Sequence, residues 1–184
     1  MIGKILGGIA ALIVIVIGLG FVLPDRAEIE REIVINAPQE EVFALISDFG
    51  EWEKWSPWAN IDPDAEYSFS GDGVGQKMEW KSDHPEVGNG SQEITAMDAP
   101  GLLVTHLDFG EMGKADARFT LIPTTEGNTK VVWAFESNMR EGVPAHMQPM
   151  STYMGFFMDG FLGPAYEEGL ANLKRVAEAG ETAA

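Results

Sequence analysis

Few residues in this 184-residue chain have the chemistry for catalysis or metal binding. The three histidines are His84, His106 and His146. None stands at a ligand-like spacing from another histidine or a carboxylate, so no metal site is expected. Asp83-His84 adjoin in a turn, but no nucleophile-elbow motif supplies the serine of a triad. Gly71-Asp72-Gly73-Val74-Gly75 superficially resembles a phosphate loop. It falls between two strand signals and precedes no helix, so it reads as a hairpin turn. The chain has no cysteine. That excludes disulfides, a thiolate zinc site, a cysteine nucleophile and an N-terminal lipoprotein anchor. No catalytic residue, metal or cofactor is expected.

The charge is unevenly placed. The formal net charge is −17, yet residues 1–26 carry +1 and the remainder −18. A phosphate backbone would repel such a domain, so nucleic acid is not an expected partner. Ile5 to Leu23 contains no charge at all. Its 19 residues span roughly 28 Å as a helix, close to a hydrocarbon core of about 30 Å. Lys4 precedes it and Pro24-Asp25-Arg26 ends it. Residues 1–26 are therefore expected to be a transmembrane anchor. A cleaved signal peptide is the competing reading, with Gly18-Leu19-Gly20 as a weak small-x-small site. The apolar run through Phe21-Val22-Leu23 favours retention. Lys4 and the amino terminus favour a domain on the outer, periplasmic side, against the opposing pull of Arg26 and Arg31. Gly3, Gly7 and Ala11 share one helix face, where a second membrane helix has room to approach, although glycine is common in such helices.

The remainder reads as one α+β domain over 27–178 with a short tail over 179–184. Residues 28–36 alternate as a strand, with Ile29, Ile33 and Ile35 on one face. Ala37-Pro38 opens a helix carrying Val42, Phe43 and Ile46, and Gly50 ends it. Six more strand signals follow at 65–70, 75–81, 91–97, 102–109, 114–122 and 129–137, separated by glycine turns. A Met-rich segment begins near Met147, and a long helix is expected over 164–178. An antiparallel sheet with one apolar face needs a cover, and the last helix is the one available.

Four local patterns carry a family resemblance. They are Ile33-Val34-Ile35-Asn36-Ala37-Pro38 running into Val42-Phe43, Asp48 followed by Trp52, Trp55-Ser56-Pro57-Trp58, and Gly169-Leu170-x-x-Leu173-Lys174. Over about 28–178 the chain resembles the START-like, Bet v 1-like (SRPBCC) superfamily, often labelled polyketide cyclase/dehydrase. It is similar in particular to bacterial members with one N-terminal membrane helix. The resemblance implies a helix-grip fold of about seven strands around a long C-terminal helix, with a hydrophobic-ligand cavity between them.

Strand alternation suggests the residues facing that space. They are Met78, Trp80, Ile94, Thr105, Leu107, Phe109, Phe119, Leu121, Trp133 and Phe135. They either line a pocket or pack a core. His106, Asp108, Asp116 and Arg118 fall on the opposite face, away from any substrate. Met147, Met150, Met154 and Met158 form a stripe that Phe157 and Phe161 extend. Met150, Met154, Phe157 and Met158 are candidate lining residues as an adaptable wall, or else an ordinary buried face. Gly155, Gly160 and Gly163 suggest a break before Pro164 that would act as a gate. Trp52, Trp55 and Trp58 are expected to plug one end of the domain, with anchoring at a membrane surface as the alternative. Three functions compete. The first is a membrane-tethered module holding a lipid or an isoprenoid such as a quinone. The second is a cyclase- or hydrolase-like enzyme. The third is an accessory subunit of a membrane complex.

Overall fold

The computed structural model of the chain describes residues 2–181. Residues 182–184 of the expected tail lie outside the described residues. Helix α1 covers Ile2–Val22 and strand β1 covers Arg26–Ile35. Helix α2 (Gln39–Ile46) leads into two 3-10 turns, Phe49–Lys54 and Pro57–Asn60. Strands β2 (Glu66–Ser70), β3 (Lys77–Lys81), β4 (Gly90–Asp98), β5 (Leu102–Asp108), β6 (Lys114–Pro123) and β7 (Thr129–Asn138) come next. Helices α3 (Gln148–Gly155) and α4 (Met158–Glu181) complete the chain. The seven strands form one sheet in the order β1-β7-β6-β5-β4-β3-β2, antiparallel throughout. This is the helix-grip arrangement of sheet and long terminal helix expected from the sequence.

Alternation explains which face is covered. On β7, Thr129, Val131, Trp133 and Phe135 are buried while the residues between them are only partly so. β6 repeats the pattern with Ala115, Ala117, Phe119 and Leu121. A bulge between Ile94 and Ala96 shifts β4 by one residue, so Met97 rejoins the inner row opposite Leu103. Helix α4 lies across the β1 side of this face through Tyr166, Leu170, Leu173 and Ala177, spaced four, three and four apart.

The terminal helix begins six residues earlier than its expected start at Pro164. Pro164 lies inside it, and the chain breaks instead at Phe156 and Phe157. A proline removes one backbone bond within a helix. Here the loss is local, and the buried Tyr166–Ala177 stripe holds the helix on the sheet.

The tryptophan segment closes the other end. The Trp52 Nε1–H donates to the Ile46 carbonyl at 2.9 Å, and the Trp55 Nε1–H to the Leu45 carbonyl at 2.9 Å. These oxygens belong to the last turn of α2, where carbonyls lack helical partners. Both indoles are almost fully buried against Phe119. Gln76 ties the segment to the β2–β3 hairpin. Its Oε1 accepts from the Phe49 N–H at 3.0 Å, and its amide donates to Asp48 Oδ1 at 2.9 Å. The same carboxylate accepts from the Gly50 N–H.

Three outcomes follow from this packing. Gln76→Ala leaves the buried Phe49 N–H unpaired and is expected to destabilise the domain by about 1–3 kcal/mol in a denaturant titration. The Asp48 carboxyl is held below its ordinary value, chiefly by the Gln76 amide and then by the Gly50 N–H. Its contribution is complete above a pH of about 4 and fades as pH falls through the lowered folded value. The melting-temperature gap between wild type and Asp48→Ala should therefore narrow on acidification from pH 6 to pH 3. A gap that widens would contradict this linkage. Gly169→Ala would place its Cβ 2.8 Å from the Trp133 ring and 3.0 Å from Pro57. Overpacking costs about 1–3 kcal/mol and the helix-propensity gain returns at most about 1, so a net loss of stability is expected by thermal melt.

Candidate functional site

The register assembles the inner face in rows. Leu103, Phe119, Trp133 and Arg31 lie side by side on β5, β6, β7 and β1. Thr105, Ala117, Phe135 and Ile29 form the next row. Of the sequence-derived lining residues, Met78, Trp80, Ile94, Thr105, Phe119, Leu121, Trp133 and Phe135 are buried on this face. Leu107, Phe109 and Met158 are partly buried and pack against the same core. Met150, Met154 and Phe157 stand exposed on the surface and outside that set. The reason is the orientation of α3. It buries Pro149 and Thr152 and packs on α1, so its methionines turn outward.

At the centre is an aromatic stack. Trp133 lies between Phe119 (centroids 4.8 Å apart, 22° between planes) and Tyr166 (3.8 Å, 24°). Trp55 and Trp58 meet it edge-on at 5.7 and 6.0 Å. The Trp133 Nε1–H is buried without a hydrogen-bond partner. An orphaned donor of this kind costs about 1–3 kcal/mol relative to a paired one. Desolvation raises the Tyr166 phenol far above its ordinary range, so it stays neutral. A second interior polar feature is the buried pair in which the Gln92 amide donates to Thr105 Oγ1 at 2.7 Å.

Arg31 marks the rim of the site. It follows Ile29 on the inner side of β1 and reaches beneath α4. Its Nη1 meets Asp159 at 2.9 Å, and its Nε meets Glu167 at 2.8 Å. The two carboxylates sit one turn either side of Gly163, where a Cβ would fall 2.2 Å from the guanidinium. Those bonds, to Asp159 first and then Glu167, raise the Arg31 pKa above its ordinary value. Beside this clamp a surface recess of about 420 Å³ opens between β1 and α4, lined by Glu30, Arg31, Glu32, Ile33, Glu167 and Leu170. Arg31 pairs with Trp133 across the strands, and Leu170 is one turn beyond Tyr166. The recess thus abuts the aromatic stack. A smaller recess of about 160 Å³ lies among Glu28, Arg118 and Glu136, toward the outer face of the sheet.

The inner surface of the sheet is largely apolar and aromatic. The inner-face positions of β3 to β7 carry no titratable side chain. His106 and Asp116 do pair, at 2.8 Å, but on the solvent face. Cross-strand register brings them together, which linear spacing does not show. Ser82 and His84 form a local turn in which His84 N–H donates to Ser82 Oγ, while the His84 ring accepts from the Glu86 N–H. This differs from a triad, in which the ring would meet the hydroxyl. Among the described residues no group of three or more histidines and carboxylates is placed to hold a metal ion. Sequence reasoning overlooked Arg31, Gln92 and Tyr166. The first two share the parity of Ile29 and Ile94, so the alternation carried the signal.

Comparison with known proteins agrees with this architecture. No curated protein matches the chain. Among solved structures, norcoclaurine synthase of Thalictrum flavum shares 13% identity at a TM-score of 0.61, over 85% of this chain and 96% of that one. The di-domain ARO/CYC StfQ of the steffimycin biosynthetic pathway shares 9% identity at a TM-score of 0.62, over 85% of this chain and 52% of that one. A protein from Chromobacterium violaceum shares 19% identity at a TM-score of 0.52, over 83% and 98% of the two chains. Identities this low establish the fold alone. The model of the family described as polyketide cyclase / dehydrase and lipid transport matches residues 26–178, the whole span from β1 through most of α4. The chain belongs to that family, within the START-like, Bet v 1-like superfamily.

Proposed function

We propose that the protein is a membrane-tethered carrier of an apolar small molecule bearing a hydrogen-bond acceptor, of the lipid or isoprenoid-quinone type. The observation that carries this reading is the unpaired Trp133 Nε1–H at the centre of an aromatic, uncharged interior. A carbonyl-bearing ring or chain intercalated there would satisfy the donor and bury its apolar surface at about 25 cal/mol per Å². Side chains fill the interior in this structure, so entry requires α4 to lift from β1 at the adjoining recess. Arg31 is the clamp that such a motion releases. The family's description includes lipid transport, which is consistent with this cargo.

Tethering is supported by α1. It is an apolar helix long enough to cross a membrane, and its only buried residue is Gly20. Arg140 joins its end to the domain by donating to the Gly20 and Leu23 carbonyls at 3.1 and 2.6 Å. A cation at a helix C-terminus is favourable. This built joint favours a retained anchor over a removable leader.

The test is organic extraction of the purified full chain with mass spectrometry, followed by tryptophan quenching with a short-chain ubiquinone. A copurified apolar molecule and saturable quenching are expected. Trp133→Phe removes the donor together with part of the buried ring, so a lower melting temperature is expected from the cavity it leaves. In protein that remains folded it should weaken binding by at least about two- to tenfold, the net worth of one hydrogen bond. An empty extract together with no quenching would exclude the reading.

A further inference from the structure

Exposed apolar residues of the domain cluster around α3 and the start of α4. Met150, Met154, Phe157 and Phe161 are 51–71% exposed and stand four, three and four residues apart, forming one stripe across the α3–α4 break. Phe156 beside them is also exposed. From Met147 to Met158 the chain has no charged residue, within a domain whose remainder carries −18. The next charge, Asp159, is already held by Arg31. A stripe this size facing water is unfavourable and marks a contact surface.

The position of α3 shows what that contact is. Helix α3 packs directly on α1. Pro149 lies against Gly20, where a Cβ would come within 2.6 Å of the proline. The Tyr153 hydroxyl donates to the Val16 carbonyl at 2.6 Å. Val16 lies six residues before the end of α1, which is about 9 Å along the helix axis. Pro149 and Tyr153, four residues apart, face α1. Met150 and Met154 each follow by one residue, about 100° further round the helix, and are exposed to the side of that contact. Arg140, bonded to the Leu23 carbonyl and to Asp25 at 3.4 Å, marks the polar level above them.

On the reading that α1 spans a membrane, we propose that α3 and the first turn of α4 are themselves immersed in the outer part of the same bilayer. Met150, Met154, Phe157 and Phe161 contact lipid. A depth of about 9 Å matches the 5–10 Å at which an amphipathic helix lies in the headgroup–acyl boundary. The uncharged composition suits zwitterionic lipid and spares the acidic domain from approaching the surface elsewhere. The α3–α4 break then opens into lipid, so an apolar ligand reaches α4 without crossing water.

The absence of native cysteine makes the test direct. Single-cysteine variants of the full chain, Met154→Cys and Phe157→Cys, are nitroxide-labelled and reconstituted in phosphatidylcholine nanodiscs. Leu12→Cys reports the centre of α1 and Glu126→Cys the aqueous β6–β7 turn. Collision with oxygen and with a water-soluble nickel chelate is read by power saturation. Labels at 154 and 157 should favour oxygen and show several-fold less nickel contact than the label at 126. Nickel contact equal to that at 126, with Leu12 still lipid-exposed, overturns immersion and leaves the anchor intact. Shielding from both reagents overturns it in favour of a protein partner or a second copy. Nickel contact at Leu12 itself overturns the anchor, and with it this inference.

Discussion

The placement of Trp133 between Phe119 and Tyr166 is the contact on which the domain depends. It joins three elements that are distant in sequence: β6, β7 and α4. A sheet with one apolar face has no preferred cover until something fixes the helix above it. The stack fixes α4 in height and rotation, and Gly169, one turn beyond Ala165 on the same helix, permits the approach by having no side chain to meet the indole. The tryptophan plug then fits against the same ring from the other side, through Trp55 and Trp58. The cover reaches the edge strand β1, where Ile29 and Ile35 are buried in the same core and Arg31 between them is clamped to Asp159 and Glu167. Ion pairs at a partly solvated rim are weaker than buried aromatic contacts, so the clamp adds less to this edge than the apolar packing beneath α4.

Much of this was legible in the sequence, for a definite reason. Strand period two is a local property, and the runs at Val131, Trp133, Phe135 and at Ala115, Ala117, Phe119 announce their buried face without knowledge of partners. Seven strands and their order of faces follow from such runs and the glycine turns. The helices were less legible. Pro164 suggested a start, because the sequence displays the lost backbone bond more plainly than the tertiary burial of Tyr166 and Leu170 that outweighs it. The methionine stripe was read as facing the sheet, since apolar residues at helical spacing have no way to signal which of two apolar surroundings they face. Met150 and Met154 are exposed instead, because α3 is held on α1, more than a hundred residues earlier, through Pro149 and Tyr153. The His106–Asp116 pair was invisible for a related reason, because it exists only through the register of β5 on β6.

Charge and apolarity are separated more sharply in the structure than in the sequence. The outer face of the sheet carries paired charges such as Asp108–Lys114 and Arg26–Glu136. The inner face of β3 to β7 carries an unpaired indole N–H, the Gln92–Thr105 pair and the hydroxyls of Thr129 and Ser137, which donate to backbone carbonyls, and the neutral Tyr166 phenol faces it from α4. A general base placed inside would need a counter-charge or a raised pKa to remain there. The inner rows of β3 to β7 offer shape, stacking surfaces and a donated hydrogen bond.

Arg140 decides how the domain sits on α1. One guanidinium bonds the end of α1, Thr152 of α3 and Asp25 before β1. A flexible linker would let the domain tumble about the end of α1 and sample every orientation. A three-way joint at the very start of the domain removes that freedom, because α1, α3 and β1 turn together. The uncharged α3 is thereby held beside the apolar helix, while the acidic sheet is carried on the other side of the joint. The contact of α4 with β1 begins where α3 ends, so the Arg31–Asp159 pair lies at the end of α4 that is held nearest to α3 and α1.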